Sequence, residues 1–370
     1  MAIVNVGMLG QGFMGKAHSN AFRQVSRFFS RKLEPRMRVI CGRDEVKLRQ
    51  AAGQFGWEEI ETDWRKVVER KDIDVIDICT PNHLHAEQAI AAAEAGKHII
   101  CEKPLANSAA EARRVVDAVE KAGVKHMLMF NYRRVPAVAF ARQFMESGRL
   151  GQVYRYRGAY LQDWVVDPER PHSWRMQKEY AGSGALGDIG SHAVDLALYL
   201  NGSIHAVTGV LSTFIKERQA GDRRAEVTVD DDAAFLARFE NGSVGVFEAS
   251  RASTGRRNAN TFEIYGSAGS LRFDLERLNE LQWYDRGDPA EEGGFRTIPI
   301  LEKGHPYIAS WWPVGHIIGW EHTFTNAVHD FLKCLENDTM PRPNFQDGLA
   351  VHTVLDAVSE SARTGAWLKI

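Results

Sequence analysis

The chain has 370 residues, of which 44% are hydrophobic and 25% charged, an ordinary composition for a globular protein. Its 46 Lys and Arg and 48 Asp and Glu residues leave a net charge of -2, which argues against nucleic acid or an acidic membrane surface as a partner. At about 150 residues per domain, this length predicts two domains.

Two features bear on the compartment. The first residues lead directly into a predicted strand with no basic leader, and no apolar run is long enough to span a bilayer. The cysteines, Cys41, Cys79, Cys101 and Cys334, are scattered, as expected for buried thiols in a reducing compartment. We therefore expect a cytoplasmic protein with no membrane partner.

The first predicted strand, residues 3–9, runs into Gly-Gln-Gly-Phe-Met-Gly at residues 10–15, and a helix of about 15 residues follows from Phe13. A Gly-x-Gly-x-x-Gly pattern between a strand and a helix is the dinucleotide fingerprint, although a tight turn with packing glycines is the alternative. The glycines permit a turn, a close approach of pyrophosphate and helix packing, and the helix N-terminus offers N–H groups. The predicted cofactor contacts are Gly10, Gly12, Phe13, Met14 and Gly15.

The second predicted strand, residues 38–41, ends at Gly42-Arg43-Asp44. An NAD site usually has an acid at this strand end, which holds the ribose hydroxyls. Arg43 suits the 2′-phosphate of NADP, whereas Asp44 suits NAD or simply caps the helix predicted at residues 45–54. The residues therefore leave NAD and NADP both open, with Arg43 as a predicted cofactor contact.

A further predicted strand, residues 73–79, ends in small and polar residues that face the cofactor crevice. The predicted cofactor contacts there are Thr80, Asn82 and His85. His83 and His85 are two residues apart, which places them on different faces of the following helix. No metal site is predicted from them.

Residues 98–105, His-Ile-Ile-Cys-Glu-Lys-Pro-Leu, take an apolar run into an acid, a base and a proline. The apolar run predicts a buried parallel strand, and Pro104 ends it because proline cannot continue the ladder. Lys103 is then at the carboxyl end of a strand, where open α/β sheets bind ligands; a solvated lysine at a strand tip is the alternative. Glu102, Lys103 and Asn131, which follows the last predicted strand at 125–130, are added to the cofactor contacts.

The two halves of the chain differ in pattern. Strand and helix alternate up to residue 130, which predicts a doubly wound parallel sheet, whereas later strands have few helices between them. Predicted strands cover residues 153–161, 205–215, 233–239, 243–249, 260–265 and 270–273, with a hairpin at Asn241-Gly242. Residues 289–313 predict a long loop, and helices are predicted at 133–147, 320–336 and 346–364. The fold class is α/β: a Rossmann domain at 1–130 and an α+β domain with an antiparallel or mixed open sheet at 131–370.

A second group of chemically active residues lies at 182–195. If this stretch is helical from Gly187, then Asp188, His192 and Asp195 are spaced i, i+4 and i+7 and share one face. An imidazole between two acids is suited to proton transfer, since a carboxylate fixes the tautomer and favours the imidazolium. The alternative is that Asp188 caps the helix and His192 is a hydrogen-bonded core residue.

The glycine fingerprint, Glu-Lys-Pro at residues 102–104 and Asp-x-x-x-His at residues 188–192 together resemble the Gfo/Idh/MocA oxidoreductases over essentially the whole chain. That family includes glucose–fructose oxidoreductase and inositol dehydrogenase. The resemblance implies that Lys103 and His192 flank the reacting carbinol carbon. It also implies that Asp188 is the catalytic Asp of the motif and that Asp195 binds the substrate.

Shorter stretches are similar to the levoglucosan dehydrogenase-like subgroup of that family, which oxidises the C3 hydroxyl of a sugar with NAD. These are Asn-Tyr-Arg-Arg at 131–134, Tyr-Leu-Gln-Asp-Trp at 160–164, Ser-Trp-Arg at 173–175 and His-Pro-Tyr at 305–307. Tyr160, Trp164 and Trp174 would form the walls of a sugar site, although each could also serve the core or the surface. The predicted substrate contacts are Lys103, Arg133, Gln162, Asp163, Trp174, Arg175, His192 and Asp195.

We therefore predict a hydride transfer between a secondary hydroxyl of a sugar or polyol and NAD or NADP. His192 takes the hydroxyl proton, Lys103 stabilises the developing alkoxide and Asp188 orients His192. Two alternatives remain: a reductase of a non-sugar substrate, as in dihydrodiol or biliverdin reductase relatives, and an NAD(P) sensor without turnover. A homo-oligomer, dimer or tetramer, is expected.

Overall fold

The structure is a computed structural model that describes residues 2–370. The strands are β1 (Ala2–Leu9), β2 (Leu33–Cys41), β3 (Glu59–Glu61), β4 (Val75–Ile78), β5 (His98–Cys101), β6 (His126–Leu128), β7 (Val153–Leu161), β8 (Ile204–Ser212), β9 (Glu217–Ala220), β10 (Arg223–Glu226), β11 (Asp232–Phe239), β12 (Val244–Ser250), β13 (Ala259–Gly266), β14 (Gly269–Asp274), β15 (Glu280–Asp285), β16 (Arg296–Pro299) and β17 (Leu368–Lys369). The helices are α1 (Phe13–Phe28), α2 (Glu45–Phe55), α3 (Trp64–Glu69), α4 (His85–Glu94), α5 (Ala109–Ala122), α6 (Pro136–Glu146), α7 (Lys178–Ala181), α8 (Ser191–Asn201), α9 (His322–Glu336) and α10 (Phe345–Thr364).

The described chain divides into two compact units. The first comprises the residues up to Arg134 together with Gly319–Leu349, and the second comprises Val135–Ile318 together with Ala350–Ile370. The predicted division at residue 130 placed all later residues in the second domain. The structure instead adds α9 to the first unit, because α9 packs along α1 and buries Phe324 there.

The first unit is built on a parallel sheet in the order β3-β2-β1-β4-β5-β6, which confirms the predicted doubly wound sheet. Its central strands are buried on both faces, since every residue of β4 is buried and so are Ile99–Cys101 of β5, and Asp77 is the one charged residue among them. Such continuous burial is typical of parallel strands covered by helices on both sides. The reversal of strand order between β1 and β4 opens a crevice at the carboxyl ends of these strands.

The second unit carries a sheet in the order β16-β15-β14-β13-β7-β12-β11-β8-β17. Only the β7–β12 pair is parallel among the described neighbours, so the sheet is mixed and mainly antiparallel, as predicted. One face buries Tyr156, Phe247 and Phe262, and α8 packs on β7. The opposite face leaves apolar side chains exposed.

Several short elements were missed by the sequence analysis. β3 has only three residues, two of them Glu, and β9 and β10 form a largely charged hairpin, so none of them has an apolar alternation. The stretch 289–313, predicted as a loop, contains β16. Among the described residues, no helix is long and apolar enough to cross a membrane.

Candidate active site

The glycine loop after β1 has the geometry that its sequence predicts. Gly10 has a φ of +113°, and a Cβ there would lie 2.5 Å from the carbonyl oxygen of Cys79. A Cβ on Gly15 would lie 2.1 Å from the carbonyl oxygen of Gly10. Any side chain at either position would therefore force the loop away from β4 or from α1.

Gly12, unlike Gly10 and Gly15, is not crowded by the protein. Its φ is -71°, and no protein atom lies within 4 Å of a Cβ built there. No side chain caps α1, so the first N–H groups of the helix are left for another acceptor. Phe13, 68% exposed, stacks on Trp320 at 5.5 Å and flanks this opening together with Met14. An open cradle beside free helix N–H groups fits the pyrophosphate of a dinucleotide.

At the end of β2, the two candidates for contact with the cofactor ribose, Asp44 and Arg43, have different surroundings. One oxygen of Asp44 accepts the N–H of Lys47 at 3.1 Å, and the other pairs with the Lys47 ammonium at 3.0 Å. The N-cap alternative for Asp44 is thus confirmed, and its carboxylate is engaged within α2. Arg43 is exposed and has no ion pair or hydrogen bond within residues 2–370.

The polar residues after β4 form hydrogen bonds within the first unit. His85 is buried, with Nδ1 2.7 Å from the carbonyl oxygen of Pro104 and Nε2 2.8 Å from that of Thr80. Burial lowers the pKa of His85, and a neutral imidazole has one N–H for these two oxygens. The His85 ring thus bridges the ends of β4 and β5, and its contact with the cofactor stays a prediction.

Three other predicted cofactor residues, Thr80, Asn82 and Asn131, lie in the first unit. The Thr80 hydroxyl donates to Gln88 at 2.6 Å, and Asn82 begins a 3₁₀ turn before α4. Asn131 is buried, and its amide donates to the Thr323 hydroxyl of the same unit at 2.8 Å.

Lys103 lies two residues beyond β5, and the preceding acid fixes its backbone. One oxygen of Glu102 accepts the Lys103 N–H at 3.1 Å, and the other lies 3.0 Å from Nε2 of His18. Glu102 is buried, whereas Lys103 is half-buried. Glu102 therefore positions the backbone of Lys103, and its contact with the cofactor stays a prediction.

His18 joins two carboxylates in the interior of the first unit. Its Nδ1 is 3.0 Å from both oxygens of Asp77, opposite the contact with Glu102. Burial disfavours the charged form, but the Asp77 carboxylate overcomes it and the pKa of His18 is raised well above its usual value. His18 is therefore an imidazolium with both N–H groups used.

The thiol of Cys79 lies close enough to His18 and Asp77 for the three to share a metal ion. Burial, however, raises the pKa of Cys79 to about 12, which keeps the thiol protonated. Since both imidazole nitrogens also face carboxylates, the geometry is that of a hydrogen-bonded ion network.

In the second unit, the helix predicted from Gly187 begins as a π-helical turn, Leu186–Gly190, and becomes α-helical only in α8. The buried carboxylate of Asp230 accepts the N–H groups of Gly184 and Leu186, both at 2.7 Å. A Cβ on Gly184 would lie 1.7 Å from the Asp230 carbonyl oxygen, so only glycine permits this approach.

The predicted acid–imidazole–acid group is therefore divided between two kinds of helix. Asp188 is in the π turn, while His192 and Asp195 are buried in α8. The His192 ring lies 5.8 Å from that of Tyr160 on β7. The Asp188 carboxylate is 3.9 Å from the guanidinium of Arg251, a buried residue that the sequence analysis missed.

The aromatic stretch after β7 is held by a chain of side-chain hydrogen bonds. The Tyr160 hydroxyl and the Gln162 amide both donate to Asn258, at 2.7 and 2.8 Å, and the Trp164 indole donates to Gln162 at 3.0 Å. Asp163 accepts from the Gly255 N–H at 3.1 Å. Asn258, also missed from the sequence, fixes the orientation of Gln162.

The remaining predicted substrate residues are separate from this chain of hydrogen bonds. Arg175 stacks on the neighbouring Trp174 ring at 4.5 Å. In the first unit, Arg133 is buried and lies 3.5 Å from Asp347.

Comparison with known proteins agrees with this geometry. A model described as an oxidoreductase family with an NAD-binding Rossmann fold matches residues 4–130, and a GFO/IDH/MocA C-terminal domain model matches residues 138–272. Levoglucosan dehydrogenase from Pseudarthrobacter phenanthrenivorans is 46% identical, with 100% of this chain and 99% of that protein covered.

Two solved structures are similar along the whole chain. An oxidoreductase domain protein from Kribbella flavida superposes with a TM-score of 0.98 at 51% identity, with 100% of both chains covered. Levoglucosan dehydrogenase in complex with NADH and levoglucosan has a TM-score of 0.97 at 47% identity, covering 100% of this chain and 99% of that one.

Proposed function

Because this chain belongs to the Gfo/Idh/MocA family of oxidoreductases, we propose that it oxidises a secondary hydroxyl of a sugar or polyol with NAD as hydride acceptor. The likeness to levoglucosan dehydrogenase favours the C3 hydroxyl of a pyranose or anhydrosugar. Residues 1–130 bind the cofactor in this proposal, and residues 131–370 bind the substrate.

The observation that carries the proposal is the fixed position of Lys103. The buried His18–Glu102 pair holds its backbone at the carboxyl end of β5, the edge of the sheet where such folds bind ligands. A lysine that merely solvates a strand tip needs no such support. The open cradle at Gly12, together with Phe13 and Met14, would hold the pyrophosphate.

Three residues have separate roles toward the hydroxyl group of the substrate in this proposal. When bound, the nicotinamide supplies the hydride acceptor. His192 takes the hydroxyl proton, the Lys103 ammonium donates a hydrogen bond to the same oxygen, and Asp188 orients His192.

For the cofactor, we propose that NAD is used and that NADP is accepted beside it. Asp44 is occupied by the N-terminus of α2 and by Lys47, whereas Arg43 is exposed and unpaired among the described residues. A guanidinium at the end of β2 suits a 2′-phosphate.

For the substrate, Trp164, Gln162 and Tyr160 are the proposed wall of the sugar site. Their hydrogen bonds, directly and through Asn258, fix a surface of aromatic and polar side chains, which suits a sugar ring better than a large apolar ligand. Asp163, Trp174, Arg175, Arg133 and Asp195 remain proposed contacts.

The test is absorbance at 340 nm with NAD and NADP in parallel, against levoglucosan, pyranoses and polyols, with His192→Ala as the inactive control. Formation of NADH by the wild type with at least one of the sugars is expected. NADH binding without turnover of any sugar or polyol would overturn the proposal and favour a non-sugar substrate or a sensor.

We also propose a homo-oligomer, a dimer or tetramer, formed through the open face of the second sheet. Val210, Leu236 and Val244 lie on that face and are 63%, 43% and 47% exposed. The same face pairs Arg157 with Glu248, so it carries both charges and can complement a second copy of itself. Burying these apolar side chains would drive the association.

The cytoplasm is the proposed location. Cys41, Cys79, Cys101 and Cys334 are all free thiols in the structure, which suits a reducing compartment.

A further inference from the structure

We propose that Arg251 keeps His192 a neutral base near physiological pH, by acting as the buried counter-ion of Asp188. The inference rests on the proposed roles of Asp188 and His192. It assigns a charge-balancing role to Arg251, which lies at a distance from both in the sequence and which no motif indicated.

Arg251 follows β12 directly and is only 1% exposed. One terminal nitrogen of its guanidinium donates to the Asp230 carbonyl at 3.0 Å, and the other lies 3.9 Å from Oδ2 of Asp188. The guanidinium carbon lies 5.0 Å from the centre of the Trp164 ring. The cation is therefore held between the π turn and the proposed sugar wall.

A buried cation is costly unless an anion compensates it. Within residues 2–370, Asp188 is the only acid with a carboxylate oxygen within 4.0 Å of the Arg251 guanidinium. The Asp188 side chain is 30% exposed and that of Arg251 is 1% exposed, so water screens the pair only in part. The pair is thus a specific arrangement and not a surface contact.

The local backbone is shaped around this cation. A Cβ on Gly184 would lie 2.8 Å from the Arg251 guanidinium, as well as against the Asp230 backbone. Asp230 in turn fixes the start of the π turn through two N–H groups. The residues that place Asp188 therefore also place the guanidinium.

The π turn and α8, which carry Asp188 and His192, are packed against strands that bear charged and titratable groups. In the second unit the charged and titratable groups are Asp188 in the π turn, Asp195 three residues beyond His192 in α8, Tyr160 and Tyr156 on β7, Asp230 before β11 and Arg251 after β12. The proposed reaction adds the ammonium of Lys103. The carboxylates among these groups favour the imidazolium, and the guanidinium of Arg251 opposes them.

The direction of the effect follows from these signs. A carboxylate near His192 stabilises the imidazolium and raises its pKa, whereas a cation lowers it. Without Arg251, the negative charges of Asp188 and Asp195 would be less compensated. The pKa of His192 would then rise, and the imidazole would retain its proton at neutral pH. A protonated His192 cannot accept the hydroxyl proton of the substrate.

The experiment is an NMR titration of His192 in the full-length protein labelled at the histidine Cε1, with the signal assigned by its loss in His192→Gln. Arg251→Gln removes the charge but retains an amide donor for the Asp230 carbonyl. We expect it to raise the pKa of His192 by about one unit, the order expected when one nearby unit charge is removed. Arg251→Lys, the matched control, should leave the pKa nearly unchanged.

Removal of the charge on Asp188, the other member of the pair, provides a second test. Asp188→Asn should lower the pKa of His192, and the double variant Asp188→Asn/Arg251→Gln should return it toward the wild-type value. An unchanged pKa in Arg251→Gln would overturn the inference. If that variant does not fold, the urea midpoint of Asp188→Asn decides: it should fall, because Arg251 loses its counter-ion, and an unchanged midpoint would refute the pair.

The titration needs no turnover, so the two proposals fail separately. A wild type that oxidises no sugar refutes the proposed function even if Arg251→Gln raises the pKa of His192. If the wild type oxidises sugars but Arg251→Gln leaves the pKa of His192 unchanged, only the role of Arg251 is refuted.

Discussion

Nε2 of His18 lies 3.0 Å from a carboxylate oxygen of Glu102, the residue directly before Lys103. The other oxygen of Glu102 holds the Lys103 N–H, so one buried imidazolium in α1 fixes the end of β5. The helix that follows the glycine loop is thereby tied to the strand end that carries the proposed catalytic lysine.

This relationship predicts a specific pH dependence of stability. The pKa of His18 is raised in the folded state, so its contribution is complete below the unfolded value of about 6.5 and is lost as the pH rises through the folded pKa. The difference in free energy of unfolding between wild type and His18→Gln should therefore shrink progressively above about pH 6.5. Urea denaturation at a series of pH values measures it.

His126→Gln is the matched control for this titration. Burial lowers the pKa of His126 to about 4, so that ring is neutral throughout the alkaline range. The difference in free energy of unfolding between wild type and His126→Gln should therefore stay constant above about pH 6.5. A difference for His18→Gln that also stays level would show that His18 is not an imidazolium in the folded state.

Gly12→Val should abolish binding of NADH while the protein stays folded. The backbone at Gly12 has a φ of -71° and no protein atom within 4 Å of an added Cβ, so the side chain would occupy only the pyrophosphate cradle. Titration of NADH fluorescence measures the affinity. Gly53→Val, at an equally open position in α2, should bind as wild type does, and wild-type affinity in Gly12→Val would remove the loop from the cofactor site.

Arg43→Ala should weaken NADP binding more than NAD binding, because the guanidinium is proposed to meet the 2′-phosphate. Comparison of the two dissociation constants measures this preference. Arg49→Ala, which removes an exposed arginine paired with Glu45 in the same region, is the control. Equal losses for both cofactors, or no binding of NADP by the wild type, would leave Arg43 without a role in selection.

Leu236→Asp should dissociate the proposed oligomer, since it places a charge in the centre of the open sheet face. Light scattering after size-exclusion chromatography gives the mass. Val46→Asp, at an exposed apolar position of α2, should leave the mass unchanged. A wild-type mass equal to one chain would end the oligomer proposal.

The elements with strong local patterns were predictable from the sequence. The glycine loop, α1 and β7 begin where the pattern places them, because strand, turn and helix signals lie next to each other in the chain. The family resemblance likewise depends on short contiguous motifs. Those motifs contain Lys103 and His192, so the sequence alone indicates both residues.

The supports of those residues were not predictable, because they come from distant parts of the chain. His18 meets Asp77 and Glu102 across 59 and 84 positions, and Asp230 fixes the π turn from 44 positions away. No local pattern marks such pairs. For the same reason the counter-ion of Asp188 and the π turn itself were missed.

In the proposed mechanism, His192 accepts the hydroxyl proton while Lys103 stabilises the same oxygen. Each contributes mainly in the transition state, so Lys103→Ala and His192→Ala should each lower kcat by about 10²-fold or more, with little change in NADH affinity. Asp188→Asn should cost less, since it disturbs only the orientation of the imidazole.

The most direct measurement is the steady-state rate of sugar oxidation by His192→Ala across pH, beside the wild type. The wild-type rate should rise with pH as the imidazole loses its proton, and the variant should lose both the rate and that rise. A His192→Ala enzyme with near-wild-type kcat and the same pH profile would contradict the account.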